Sequence, residues 1–185
     1  MNNAKYMTRI ALCAACICAL SQITIPMPSG VPLTLQTFAV ALAAGLLGTK
    51  RSIICVVLYL FIGAAGLPVF AGFTGGISRF AGPTGGFLIG FIPMAALCGI
   101  DSSVVNGGCE KSQSKWMPLS RVMAILAGVV ACHAFGVAHF AFTAGVNAVQ
   151  AFVTVSAPYI IKDAVCAYVA VMLAERIKFS ARLWI

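Results

Sequence analysis

Charge is what this chain has least of. Only 9% of its 185 residues are charged and just four are acidic, against 61% hydrophobic. A soluble domain carries about 25% charged residues, so a single water-exposed globule is excluded. Signatures of hydrolytic chemistry are missing as well. No GxxxxGK[ST] loop is present, so the chain does not bind and hydrolyse ATP through a P-loop, and there is neither an HExxH helix nor a GxSG-type nucleophile. His133 and His139, six positions apart, fall well off a common helix face, so no metal is inferred. These absences argue against an intramembrane enzyme. No internal repeat is convincing, which weakens an inverted-repeat secondary transporter.

What the chain has instead is long, continuous apolar runs. Inside a bilayer every backbone polar group must be satisfied within helices or a closed barrel, and continuous rather than alternating runs select helices. At about 20 residues per crossing, six candidate spans emerge: Met7–Ile23, Leu35–Gly48, Ser52–Leu67, Gly85–Ile100, Arg121–Ala138 and Pro158–Ala174. The expected fold class is an all-α integral membrane protein, one transmembrane domain over residues 1–185.

The net charge of +8 invites a nucleic-acid reading, but its placement argues otherwise. Lys5 and Arg9 precede the first span, Lys50 and Arg51 lie between the second and third, Lys111, Lys115 and Arg121 between the fourth and fifth, and Arg176, Lys178 and Arg182 follow the sixth. Ten of the twelve cations therefore fall on one side of consecutive spans, the positive-inside pattern, which puts both termini in the cytoplasm and makes lipid, not nucleic acid, the chain's surroundings. The other side has no charge between Ile10 and Thr49 or between Ala138 and Ile161. Arg79 and Lys162, followed directly by Asp163, break that rule. A cation that topology does not require is a functional candidate.

Lys5, Arg9 and the apolar run after them resemble a signal peptide, yet cleavage would spoil the alternation of basic loops, so the segment is expected to stay as a span. Seven of the eight cysteines fall inside spans and are expected to pack as small core residues. Asp101–Pro118 is expected to be a flexible cytoplasmic loop. His139–Ala157, apolar and uncharged, is expected to be a re-entrant or interfacial lid rather than a free loop.

Three groups of residues carry candidate chemistry. In RFAGPTGGFLIGF, Arg79–Phe91, Pro83 suits a helix start, Thr84 can cap it, and Gly85 and Gly86 leave the first amides without side-chain cover. Such a terminus attracts an anion, and Arg79 stands just upstream. A tight turn with a capped helix accounts for the same residues. In the sixth span, Lys162 and Asp163 sit about one turn from the end; adjacent helical residues point about 100° apart, so one is expected to face a cavity and the other to snorkel. Burial of Asp163 needs a partner: Lys162, Arg79 or a ligand's N–H groups. Ala11, Ala15 and Ala19 line one face of the first span at small-xxx-small spacing, for internal packing or for a partner.

Taken together, VPLTLQTFAVALAAGLLG (Val31–Gly48), YLFIGAAGLPVFAG (Tyr59–Gly72) and GGISRFAGPTGGFLIGF (Gly75–Phe91) resemble the BioY family, the biotin-binding S components of energy-coupling factor transporters. The resemblance is close from Ser21 to Gly99 and returns at Pro158–Ala174. It implies a six-helix S-component fold, with a biotin pocket capped by the first outer loop and the loop before the fourth span. It also implies no chemistry of its own and no cofactor, and typically as partners a membrane coupling protein and ATPase subunits. Asp163 matches the acidic position expected to accept the ureido N–H groups. The family's lysine one turn later is Cys166 here, with Lys162 as a possible substitute of different direction. Arg79 is assigned the valerate carboxylate, with Gly82, Thr84, Gly85 and Gly86 around it. Phe87 stands where the family often has tyrosine, and Gln36 is a polar group near the mouth. The Ala11/Ala15/Ala19 face corresponds to the family's docking surface. An S component for another vitamin is the alternative.

Overall fold

Glycine and proline, more than charge, set where the helices of this chain end. In the computed structural model, which describes residues 2–28, 30–100 and 117–182, the chain is mostly helical. Helix α1 (Asn2–Leu20) leads into a short antiparallel pair, β1 (Thr24–Ile25) and β2 (Leu33–Thr34), with Thr24 opposite Thr34. Then follow α2 (Gln36–Leu47), α3 (Thr49–Ala64), the single turn α4 (Ser78–Ala81), α5 (Gly85–Cys98), α6 (Leu119–Ala144), α7 (Ala148–Val155) and α8 (Ala157–Arg182). The expected loop Asp101–Pro118, with Lys111 and Lys115, lies outside the described residues apart from Met117 and Pro118.

Gly48, at φ 75°, closes α2, and α3 begins at the next residue. Lys50 and Arg51 therefore occupy the first turn of α3 and not a loop between spans; the Arg51 guanidinium lies 3.8 Å over the Tyr6 ring of α1. Among the described residues two helices are long and apolar enough to cross a membrane, α6 and residues Ala157–Lys178 of α8. Helices α2 and α5 are apolar but only 12 and 14 residues long, about 18–21 Å at 1.5 Å per residue, short of a ~30 Å hydrocarbon core. By length and apolar composition together, then, two of the six expected spans qualify among the described residues.

The segment His139–Ala157, expected to be a lid rather than a free loop, is ordered as helix, turn and helix. Helix α6 runs six residues past Ala138, to Ala144, and ends at left-handed Gly145 (φ 66°), whose N–H donates to Ala141 O. Asn147 then caps α7, its Oδ1 accepting from the Gln150 N–H at 2.8 Å. Helix α7 packs on both α6 and α8, burying Ala151 and Val155 and exposing Val149 and Val153.

Small residues bring the helices close. Helix α5 lies along α6, and α2 along α8. A Cβ on Gly45 would stand 2.6 Å from Ala174 Cβ, and one on Gly86 would run into Phe135 O and His139 Cβ of α6. Gly86 is therefore a point of helix contact. Tyr59, Ile17, Met94, Val40 and Val56 are fully buried where α1, α2, α3 and α5 converge. Helix α1 turns Cys13, Ala14 and Ile17 into that core. Ala11, Ala15 and Ala19 are exposed on its other side, so packing within the chain does not account for them. They line a groove with Leu58 and Ile62 of α3.

Candidate functional site

The site is assembled on the first two turns of α8. Tyr159, Lys162 and Asp163 stand three and four residues apart, the spacing that puts side chains on one helix face. Tyr159 OH donates to Val31 O at 2.8 Å and Lys162 Nζ to Thr34 O at 2.8 Å, so the segment around β2 is tied to α8 at two points. The expectation that Lys162 and Asp163 diverge fails, because both line the same cavity. The lysine stem is long enough to fold back, and Nζ lies 2.6 Å from Asp163 Oδ1. Oδ1 is buried against that ammonium, and Thr37 adjoins the same carboxylate. The other oxygen, Oδ2, faces His133 Nε2 of α6 at 3.3 Å. His133 Nδ1 in turn lies 2.8 Å from Ser156 Oγ, just before α8.

Across the cavity stand α4 and α5. Thr84, Phe87, Leu88 and Phe91 supply a mainly apolar wall, and the Phe87 ring meets the His133 ring edge-on at 5.6 Å. Arg79 reaches the cavity from α4; it is exposed, and among the described residues no hydrogen bond or ion pair holds its guanidinium. A Cβ on Gly30 would touch Pro83, so the segment before β2 and the turn before α5 close over the same space. The enclosed cavity is small, about 100 Å³.

Six of the nine expected ligand-binding residues line this cavity: Gln36, Arg79, Thr84, Phe87, Lys162 and Asp163. Gly82, Gly85 and Gly86 do not. Thr84 holds the N-cap position of α5 but its side chain makes no capping bond, and the Gly85 N–H already donates to Gly82 O at 3.0 Å. The idea of bare amides holding an anion therefore loses its first donor. Gln36 is engaged at both ends, donating to Tyr59 OH at 2.6 Å and facing Thr34 Oγ1 at 3.3 Å, so it braces the wall.

His133, Thr37 and Tyr159 also line the cavity and were not singled out from the sequence. His133 had a legible signal, since an ionisable side chain inside a membrane span is a functional candidate by default. Its partners lie on other elements, Asp163 on α8 and Ser156 just before it, and not at His139 on the same helix.

The fold is similar to that of a solved S component. The crystal structure of the S-component for biotin from an ECF-type ABC transporter superposes with a TM-score of 0.83, covering 96% of this chain and 92% of that one at 26% identity. The BioY family profile matches residues 1–182. A probable biotin transporter BioY of Pyrococcus horikoshii is 35% identical over 176 residues, 95% of this chain and 98% of that protein. The biotin transporter BioY of Rhizobium etli is 37% identical over 171 residues, 90% and 89% of the two chains. This chain belongs to the BioY family, and it is a membrane protein of the transporter S-component class rather than an enzyme.

Proposed function

We propose that this protein captures biotin at the outer face of the cytoplasmic membrane and delivers it as the substrate-specific component of an energy-coupling factor transporter. One observation carries this reading. Asp163 is a buried carboxylate on the wall of the cavity, with the Lys162 ammonium 2.6 Å from one oxygen and His133 Nε2 3.3 Å from the other. A cyclic urea offers N–H groups to such a carboxylate, and a charge-assisted hydrogen bond is about twice as strong as a neutral one. The thioether ring and alkyl chain fit between Phe87, Leu88 and Phe91, and Arg79 takes the carboxylate. Arg79, Lys162 and Asp163 on the wall sum to +1, complementary to a ligand with one negative charge.

In this reading α1, α2, α3, α5, α6 and α8 all cross the bilayer, with both termini cytoplasmic as the distribution of cations requires. Entry of the ligand requires the segment around β2 to lift, which breaks the Tyr159–Val31 and Lys162–Thr34 hydrogen bonds. The exposed Ala11/Ala15/Ala19 face docks a membrane coupling protein by close helix packing. ATPase subunits supply the energy, since the sequence holds no P-loop.

Radiolabelled biotin titrated into the purified protein in nanodiscs tests the reading. Saturable binding at one site per chain, not displaced by riboflavin or thiamine, is expected. Absence of saturable binding, or displacement by another vitamin, overturns it.

A further inference from the structure

The wall of the cavity contains a polar chain that crosses three elements: Ser156, His133 and Asp163. Its members are buried, at 0%, 4% and 7% exposure. We infer that His133 is the positioning residue for the carboxylate of Asp163, and that Ser156 sets the tautomer in which it does so. This goes a step further than the proposed biotin site and rests on it.

A neutral imidazole carries one N–H and one acceptor nitrogen, and the partner of one nitrogen decides the role of the other. Ser156 has a hydroxyl hydrogen to give, and its Oγ is 2.8 Å from Nδ1. With Ser156 donating there, the ring proton sits on Nε2, which points at Asp163 Oδ2 at 3.3 Å. Oδ2 is thereby occupied, and the carboxylate plane is fixed between His133 on α6 and Lys162 on its own helix. Oδ1 lies against the Lys162 ammonium, on the side away from His133. A carboxylate with both oxygens equally available can rotate, or accept the ligand through either one. This one is held in a single orientation between His133 and Lys162, which favours a rigid N–H donor such as a cyclic urea.

The neighbourhood supports a positioning role rather than direct contact. The His133 ring is wedged edge-on against Phe87 at 5.6 Å, and Val129 and Cys132 of the same helix are buried beside the cavity. Helix α7 also gains a purpose. Its C-terminal residue Val155 is fully buried, and Ser156 follows with its N–H on Phe152 O, while its carbonyl accepts from the N–H groups of Tyr159 and Ile160. The backbone of Ser156 is therefore held from both sides, and its hydroxyl has a fixed direction toward Nδ1.

The test is biotin affinity in purified His133→Phe, His133→Gln and Ser156→Ala, together with His133→Phe combined with Asp163→Asn. A hydrogen bond to a charged group contributes enough that His133→Phe is expected to weaken biotin about tenfold or more. Gln keeps an N–H donor near the position of Nε2 and is expected to recover most of that loss; Ser156→Ala is expected to cost a few-fold. In the Asp163→Asn background His133→Phe is expected to change little, because a residue acting through another is non-additive with it. Equal loss in both backgrounds, no loss in His133→Phe, or a Gln variant as weak as the Phe variant overturns the inference. Should His133→Phe not fold, Ser156→Ala and His133→Gln decide: unchanged affinity in the first, or tenfold loss in the second, overturns it. Wild-type protein that fails to bind biotin overturns the proposed function instead, so the two failures are distinct.

Discussion

Two ion pairs, placed near opposite ends of α8, do different work. At one end Lys162 and Asp163 are neighbours in sequence, 2.6 Å apart. At the other, Glu175 of α8 meets Arg121 of α6, also at 2.6 Å. The two carboxylates are twelve residues apart on the helix, about 18 Å along its axis. Arg121 and Glu175 join two helices, and the pair is partly open, with side-chain exposures of 5% and 38%. Lys162 and Asp163 lie on the same helix, on the wall of the cavity, and each also reaches another element, Lys162 to Thr34 O and Asp163 to His133 of α6. The Arg121–Glu175 pair lies away from the cavity and is explained by the fold. A buried carboxylate and an ammonium on the cavity wall are explained by a ligand.

Substitutions can break that contrast. The largest effect is expected from Asp163→Asn. It replaces the charged acceptor by a neutral amide and leaves Lys162 without its counter-ion; biotin affinity should fall by roughly a hundredfold, the upper range for hydrogen bonds to charged groups, as read by equilibrium binding. Arg79→Ala should weaken biotin by about tenfold, less because the guanidinium is exposed and screened, and should leave biotin amide binding unchanged; equal losses for both ligands remove the carboxylate assignment. Glu175→Gln should cost about 1 kcal/mol of stability, a melting-temperature shift of about 2–4 °C in a chain of this size, with biotin affinity within about twofold of wild type by the same reckoning. Ala15→Leu should alter neither affinity nor melting temperature, because Ala15 is exposed, yet should abolish co-purification with the coupling protein.

How much of this was legible beforehand differs by element. The starts of α5 and α8 were readable to within a residue, because Pro83 and Pro158 punctuate otherwise unbroken apolar runs. Asp163 and Arg79 were readable because charge is costly in a span and unneeded on the uncharged side. The turn at Gly145 and the cap at Asn147 were also written in the sequence, as a glycine after a helix and an Asn three residues before Gln150; the uniform apolarity of His139–Ala157 masked them. Other features were not local at all. Lys162 faces the cavity because its four-carbon stem and the Thr34 carbonyl decide its direction, which the 100° step between helical neighbours does not capture. His133 belongs to the site because α6 and α8 pack together, a relation between residues thirty positions apart. Gly86 lets α5 approach α6 closely, which the positions of Phe135 and His139 reveal.

The most direct measurement is a pair of biotin saturation isotherms, Asp163→Asn beside Glu175→Gln, in nanodiscs under one condition. The account predicts that the first loses affinity by roughly two orders of magnitude while the second keeps it. If both fall together, or if Glu175→Gln is the weaker binder, the two ion pairs do the same work and the cavity beside Asp163 is not the biotin site.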